Sequence, residues 1–260
     1  MKTFLCIILV LLVPAVSFAG NFHERSDWEH FFKDRGVDGT IAVFDERSGE
    51  YSVYNEARAR KQYSPASTFK IPHTLFALDA GVVKDEFQVF PWDGKKRAYE
   101  SWNKDQNLRS SMHDSVVWVY QQFAMAIGEK SEKDYLKKIN YGNADFSGPV
   151  DYFWLNESLR ISAVEQIEFL QKLYRNQLPF SVEHQRLVKD IMVAEAEEYW
   201  ILRAKTGNFG RYGWYVGWVE HPEGAVFFAL NIDINSNEDP PKRISIVKDV
   251  LHSIKAYVSH

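Results

Sequence analysis

The sequence predicts an α+β fold in which one antiparallel sheet, flanked by helices from the two ends of the chain, packs against an all-helical region. Three observations lead to this prediction. Runs rich in β-branched and aromatic residues lie near both ends of the chain. Helical patterns fill the middle from Ser67 to about Ile191. Amphipathic helices begin and end the part of the chain after residue 19. We expect a single domain over residues 20–260, with a mixed α/β part at about 20–66 and 196–260 and a helical part at about 67–195.

Residues 1–19 have the pattern of a cleavable export signal. Lys2 supplies the charged start, an apolar stretch covers residues 4–16, and residues 17–19 have the small-x-small pattern of a cleavage site. The unbroken apolar run over residues 4–13 is too short to span a bilayer. We therefore predict cleavage near Ala19, export to the periplasm and no stable membrane anchor. The single cysteine, Cys6, lies in this signal, so the mature chain has no disulfide.

Composition limits the classes of partner. The chain is 45% hydrophobic and 15% aromatic, which is enough for a buried core. Its formal net charge is −4, and acidic and basic residues alternate without a polybasic stripe, so we expect no nucleic-acid partner. The eight histidines form no group with metal-ligand spacing, so we expect no metal. The oligomeric state stays open, a homodimer included.

The elements follow from local patterns. Residues 26–29 read as a capping box that starts a helix bearing Trp28, Phe31 and Phe32, and runs at 40–44 and 51–54 predict a hairpin with a turn at 47–49. Strands are predicted at 200–206, 212–220 and 225–233. A last helix carries Val247, Val250, Leu251 and Ile254 on one face. In the helical middle we predict caps at Ser131 (with Asp134) and Ser162 (with Glu165), and helix stops at Gly81, Gly128 and Gly142.

The most informative pattern is Ser67-Thr68-Phe69-Lys70 at the predicted start of a helix. Residues three apart share a helix face, so the Lys70 amine lies within hydrogen-bond reach of the Ser67 hydroxyl and can activate it as a nucleophile. The apolar neighbours Phe69 and Ile71 favour the neutral amine. A lone pattern of this kind is usually an exposed capping serine and a solvated lysine. Pro72 predicts a local kink, or a helix that starts early at Ser67.

Two further patterns complement this one. Ser115 precedes a predicted helix at 116–127, where it is either a helix cap or a hydroxyl that relays a proton to a leaving nitrogen. Lys205, Thr206 and Gly207 end a predicted strand and could bind a substrate carboxylate and an extended amide along the strand edge. The alternative for these three is a simple strand-end turn. The Gly- and Trp-rich segment 213–218 is interpreted as structural, because glycine lets strands approach closely.

With these motifs in the order Ser-x-x-Lys, Ser-x-Val and Lys-Thr-Gly, the chain resembles the class D serine β-lactamases, the oxacillinase family, from about Thr40 to Leu251. Ser115-Val116-Val117 matches the class D pattern and departs from the Ser-Asp-Asn of class A. The resemblance also includes Tyr141-Gly142-Asn143, Trp154-Leu155, residues 217–220 and Lys242-Arg243. It implies the fold shared by serine β-lactamases and penicillin-binding proteins, β-lactam substrates, and antibiotic resistance.

The resemblance also implies residue roles. Ser67 is the acylated nucleophile, and Lys70 carries a carbamate (N6-carboxylysine) formed reversibly from carbon dioxide, with no other cofactor. Trp154 donates a hydrogen bond to the carbamate, and Val117 and Leu155 gate the deacylating water. The substrate-binding residues are Lys205, Thr206, Gly207, Asn208 and Arg243, and the N–H groups of Ser67 and Asn208 form the oxyanion hole.

One position departs from the family. Many members have an aromatic residue directly after Lys-Thr-Gly, whereas this chain has Asn208 followed by Phe209, so the resemblance implies no particular substrate preference. Glu157 and Glu165 suggest a class A glutamate base, but Glu165 is better explained by the capping box of Ser162.

Two alternative functions use the same residues. One is a β-lactam sensor domain, which keeps the acyl group as a signal and is tethered by membrane helices. The other is a penicillin-binding transpeptidase or carboxypeptidase, which deacylates slowly with water. Trp154 and Leu155, with a lysine suited to a carbamate, favour the hydrolase.

Overall fold

A computed structural model describes residues 22–257; the predicted signal at 1–19 lies outside this part of the chain. The strands are β1 (Phe22–Glu24), β2 (Gly39–Asp45), β3 (Glu50–Tyr54), β4 (Val193–Ala196), β5 (Ile201–Asn208), β6 (Tyr212–His221) and β7 (Gly224–Asp233). The helices are α1 (Glu29–Lys33), α2 (Glu56–Ala59), α3 (Lys70–Asp79), α4 (Leu108–His113), α5 (Val117–Ile127), α6 (Glu129–Ile139), α7 (Ala163–Tyr174), α8 (Val182–Ile191) and α9 (Lys242–Ser253). Four short 3-10 turns cover Ser26–Trp28, Ala66–Phe69, Glu100–Trp102 and Phe153–Leu155.

The strands form one sheet in the order β1-β3-β2-β7-β6-β5-β4. All neighbours are antiparallel except β1, which pairs in parallel with β3. β2 pairs with β7, and this ladder joins the hairpin near the start of the chain to the strands near its end. The predicted α+β fold, with one sheet built from both ends of the chain, is confirmed.

Side chains on the two faces of the sheet enter two separate cores, as the alternation of a strand requires. Ile41 and Val43 of β2 pack with the apolar face of α9, which includes Val247. Ala42, the residue between them, packs in the larger core beneath the helices, together with Phe227 of β7. β6 is buried along nearly its whole length because helices cover both faces of the sheet.

Several predicted helix ends differ from the structure. Ser26 does not cap α1: Arg25 stands before the first turn, and no side chain caps it. Ser131 lies inside α6, which starts at Glu129 directly after Gly128, so its predicted cap with Asp134 is wrong. That helix ends at Asn140, which adopts the left-handed conformation (φ 51°), two residues before Gly142.

The other end signals agree with the structure. Ser162 and Glu165 form a full capping box at the start of α7, Gly128 follows α5 directly, and Gly81, with φ +69°, follows the end of α3. The sequence pattern missed β1, β4 and α2, which have three or four residues each and are too short to show a period. Within residues 22–257, no helix combines the length and the apolar character needed to cross a membrane.

Candidate active site

The nucleophile candidate Ser67 lies in the 3-10 turn that leads into α3. Ala66 before it has a positive φ of 48°, which turns the chain sharply into the helix. Pro72 is the third residue of α3. The first N–H groups of an α-helix have no partner within the helix, so a proline there removes no hydrogen bond. For Pro72 we predicted a local kink or a helix that starts early at Ser67. In the structure, a 3-10 turn that includes Ser67 is followed by an α-helix that starts at Lys70.

Lys70 Nζ donates a hydrogen bond to Ser67 Oγ at 3.0 Å. Lys70 is 1% exposed, and no carboxylate among residues 22–257 contributes to the shift of its pKa. Burial, with a smaller contribution from the Lys205 cation, holds the pKa of Lys70 well below its usual value. The amine next to the Ser67 hydroxyl is therefore favoured in its neutral form, in which it can accept a proton or bind an electrophile.

Buried aromatic rings form an enclosure next to Lys70. The ring of Tyr120 lies 5.1 Å from Lys70 Nζ, and Trp154 stacks on Phe69 with ring centroids 5.8 Å apart. The Ser64 hydroxyl donates to the Trp154 carbonyl at 2.8 Å and fixes the backbone there. The Trp154 Nε1–H is fully buried and has no hydrogen-bond partner among residues 22–257. A buried donor without a partner is costly, so this N–H is suited to an oxygen acceptor added inside the enclosure.

Ser115 lies on the short connection between α4 and α5. It does not cap that helix, because Val116 takes the cap position and Ser115 itself has a positive φ of 57°. Its Oγ instead accepts a hydrogen bond from Lys205 Nζ at 3.0 Å. The cap interpretation is therefore wrong, and the hydroxyl is held beside a cation of the sheet.

Two basic side chains lie near the end of β5: Lys205 on that strand and Arg243 on α9. Burial, and secondarily the Arg243 charge, lowers the pKa of Lys205 to about 7. Burial lowers the pKa of Arg243 to about 10, so its guanidinium stays charged at neutral pH. Arg243 donates to the carbonyl oxygens of Gly207 and, at 2.6 Å, Pro240. At neutral pH Arg243 is charged and Lys205 is partly charged, and neither pairs with a carboxylate among residues 22–257, so this region is suited to an anion.

Two glycines, Gly207 and Gly213, allow close contacts in this region. A methyl group at Gly213 would lie 2.6 Å from the Arg243 side chain, and one at Gly207 would lie 3.0 Å from the Pro65 carbonyl oxygen. β5 therefore lies directly against the turn that bears Ser67. Of the two neighbours of Gly207 on β5, Thr206 is partly buried and Asn208 is exposed. The interpretation of the glycines in 213–218 as positions of close approach agrees with this packing.

The remaining candidates lie around the same cleft. Val117, the first residue of α5, and Leu155, next to Trp154, are both partly buried. Glu165 accepts from the Ser162 N–H and from Gln62, so its carboxylate is used at the start of α7 as predicted. Glu157 pairs with Arg211 near the surface. No group of three metal-binding side chains occurs among residues 22–257.

The sequence did not indicate the polar side chains that bond to the backbone just before the 3-10 turn of Ser67. Trp214 Nε1 donates to the Ser64 carbonyl at 2.8 Å, and the Tyr212 hydroxyl accepts from the Ser64 N–H at 3.2 Å. Both partners lie about 150 positions away on β6, so no local signal pointed to them. Sequence reasoning also missed His73, although its position one turn after Lys70 on α3 could have drawn attention to it.

Comparison with known proteins agrees with this geometry. Residues 39–252 match the family described as penicillin binding protein transpeptidase domain. The chain is 58% identical over 250 residues to β-lactamase OXA-20 of Pseudomonas aeruginosa, covering 95% of this chain and 94% of that one. It is 60% identical over 236 residues to β-lactamase OXA-2 of Salmonella typhimurium, covering 90% of this chain and 86% of that one.

Solved structures give the same result. The class D β-lactamase YbXI from Nostoc superposes with a TM-score of 0.85 at 38% identity, covering 88% of this chain and 98% of that one. The class D β-lactamase FUS-1 (OXA-85) from Fusobacterium nucleatum subsp. polymorphum gives a TM-score of 0.86 at 37% identity, covering 89% and 98%. A chain with this Ser-x-x-Lys turn, this fold and relatives this similar over nearly their whole length belongs to the class D β-lactamases.

Proposed function

We propose that the protein hydrolyses penicillin-type β-lactams through an ester of Ser67 and so confers resistance to them. The observation that carries this proposal is the 3.0 Å contact between Lys70 Nζ and Ser67 Oγ, in which the amine is buried and its pKa is lowered. The identity to β-lactamases OXA-20 and OXA-2 supports the substrate class. The export pattern at residues 1–19 supports the periplasm as the place of action.

In the first half-reaction, Ser67 Oγ bonds to the lactam carbonyl carbon, and the carbon–nitrogen bond of the ring breaks. The proton of Ser67 passes to a base at Lys70, and Ser115 delivers a proton to the departing nitrogen. The N–H groups of Ser67 and Asn208 stabilise the oxyanion. Lys205, Thr206 and Arg243 bind the substrate carboxylate, while Gly207 leaves room for the substrate beside the strand.

In the second half-reaction, water adds to the ester carbonyl and the bond to Ser67 Oγ breaks. Val117 and Leu155 control the access of this water. We propose that Lys70 is carboxylated by carbon dioxide, which supplies a carboxylate base in place of an amine. The neutral Lys70 amine and the unpartnered Trp154 Nε1–H both suit this modification, the first as the reacting group and the second as a donor to the new oxygen.

Turnover of a chromogenic β-lactam, with and without added bicarbonate, tests the proposal. We expect fast turnover by the wild type, loss of turnover in Ser67→Ala, and unchanged turnover in Ser131→Ala, an exposed serine of α6. Intact-mass analysis with a slowly hydrolysed β-lactam should place one adduct on the peptide that contains Ser67. Stoichiometric acylation without turnover would instead indicate a β-lactam sensor or a transpeptidase.

A further inference from the structure

A buried pair of ionisable side chains lies one helical turn beyond Lys70 and has no part in the reaction described above. His73 of α3 and Glu132 of α6 are both fully buried, and His73 Nε2 lies 2.7 Å from Glu132 Oε1. Their remaining polar atoms, His73 Nδ1 and Glu132 Oε2, have no hydrogen-bond partner within the described part of the chain. Each group is therefore the other's single polar partner, in a region where an uncompensated charge is very unfavourable.

His73 shares its surroundings with Lys70. Its ring centroid lies 5.1 Å from that of Phe69, 5.3 Å from that of Trp154 and 5.8 Å from that of Tyr120. Of these three rings, that of Tyr120 lies 5.1 Å from Lys70 Nζ, and Phe69 is the residue before Lys70 in the chain. In addition, Thr74, the residue after His73, donates to the Lys70 carbonyl at 2.8 Å. A charge on the pair therefore acts on Lys70 through apolar side chains, and electrostatic effects are strong in such a medium.

The elements that pack around the pair bring few other charges. On α3 the other ionisable groups are Lys70 and Asp79, and Asp79 accepts a hydrogen bond at 2.9 Å from Tyr135 of α6. On α5 the ionisable group is Tyr120, whose pKa is raised by burial so that it stays neutral. The turn Phe153–Leu155 contains no ionisable residue. The other ionisable side chains of α6 are partly or fully exposed. On the helical side of Lys70, the buried charge therefore depends on how His73 and Glu132 share their protons, whereas on the sheet side it comes from Lys205.

We propose that His73 neutralises Glu132, and that the neutrality of this pair sets how readily Lys70 binds carbon dioxide. The inference rests on the carbamate proposed above. Imidazolium with carboxylate and imidazole with carboxylic acid both have zero net charge. Carbamate formation joins the Lys70 nitrogen to the carbon of carbon dioxide and releases one proton to solvent. A lone Glu132 carboxylate opposes it twice, because it favours the ammonium form of Lys70 and repels the negative product. His73 and Glu132 are thus positioning residues that act through Lys70.

Labelled-bicarbonate carbon NMR, in which the carbamate signal is titrated against bicarbonate at fixed pH, tests this proposal. His73→Leu leaves the carboxylate unpaired and should raise the bicarbonate concentration for half-saturation about tenfold, the effect of a change of one pKa unit. Adding Glu132→Met in the same chain removes both partners and should restore a value within about twofold of the wild type. The matched control is His221→Leu, a buried histidine bonded to the Ala256 carbonyl in the other core, which should alter melting temperature but not half-saturation.

The outcomes separate the two proposals. If the wild type gives no carbamate signal, the proposed modification of Lys70 fails. If the wild type gives the signal and His73→Leu leaves half-saturation unchanged, or the double variant does not restore it, the role of the pair fails. If His73→Leu does not fold, NMR of the wild-type protein still tests the role of the pair. Histidine nitrogen shifts and the glutamate carboxyl carbon shift should then show a pair of zero net charge, and a neutral His73 beside an ionised Glu132 would overturn the inference.

Discussion

Lys205 Nζ lies 3.0 Å from Ser115 Oγ, so a cation of the sheet contacts a hydroxyl of the helical region across the cleft. The two residues are 90 positions apart in the chain. This contact, together with that between Lys70 and Ser67, places one hydroxyl–amine pair on each side of the site. The arrangement supports our proposal that one pair serves nucleophilic attack and the other serves protonation of the leaving nitrogen.

Ser115→Ala should slow acylation more than deacylation, because it removes the hydroxyl that we propose protonates the leaving nitrogen. General acid–base groups contribute typically about 10²–10⁴-fold, and we expect a loss in this range in kcat/KM. Stopped-flow measurement of the acylation burst checks the prediction, with Ser131→Ala as the control. An unchanged burst rate would exclude Ser115 from proton transfer.

Arg243→Ala should weaken recognition of the substrate carboxylate. A lost hydrogen bond to a charged group costs about 1.5–3 kcal/mol, which corresponds to roughly 10- to 100-fold in kcat/KM. Lys242→Ala is the matched control, since this neighbouring cation pairs with Asp239. Methyl esters of the same substrates should be much less affected by Arg243→Ala. Equal losses for acid and ester would show that Arg243 supports the fold of the site and does not bind the carboxylate.

Trp154→Phe should raise the bicarbonate concentration needed for full activity and slow deacylation more than acylation. The substitution keeps an aromatic ring against Phe69 but removes the indole N–H that we assign to the carbamate. Trp28→Phe is the control, because Trp28 Nε1 is also buried without a partner but lies in the other core. Progress curves with and without bicarbonate provide the measurement. A bicarbonate response equal to that of Trp28→Phe would contradict the role of Trp154.

Lys205→Met should stabilise the protein at pH 6 and lose this advantage by pH 10. In the folded protein the pKa of Lys205 is about 7, well below the value near 10.5 of an unfolded chain. Between these values the unfolded chain binds more protons, so the contribution of Lys205 to stability rises with pH, by up to about 1.4 kcal/mol per pH unit. Below pH 7 the folded protein bears the full cost of burying the charged amine. Urea unfolding of both proteins at several pH values checks this, and a stability difference independent of pH would contradict it.

Much of this protein is determined by the sequence itself. The period of Val247, Val250 and Leu251 fixes the buried face of α9, and the alternation along β2 divides its residues between two cores. The contact between Lys70 and Ser67 follows from their spacing of three residues at a helix start. Such features depend on neighbours within a turn or two, so local patterns encode them.

The tertiary structure alone decided the contacts between distant segments. From the sequence, Ser115 is either a helix cap or a proton relay, and only the tertiary structure places its hydroxyl beside Lys205 of β5. His73 and Glu132 are 59 positions apart and meet because α3 packs near α6. Pairings of this kind depend on strand register and helix packing, which are set by how the whole core fills its volume rather than by any local pattern.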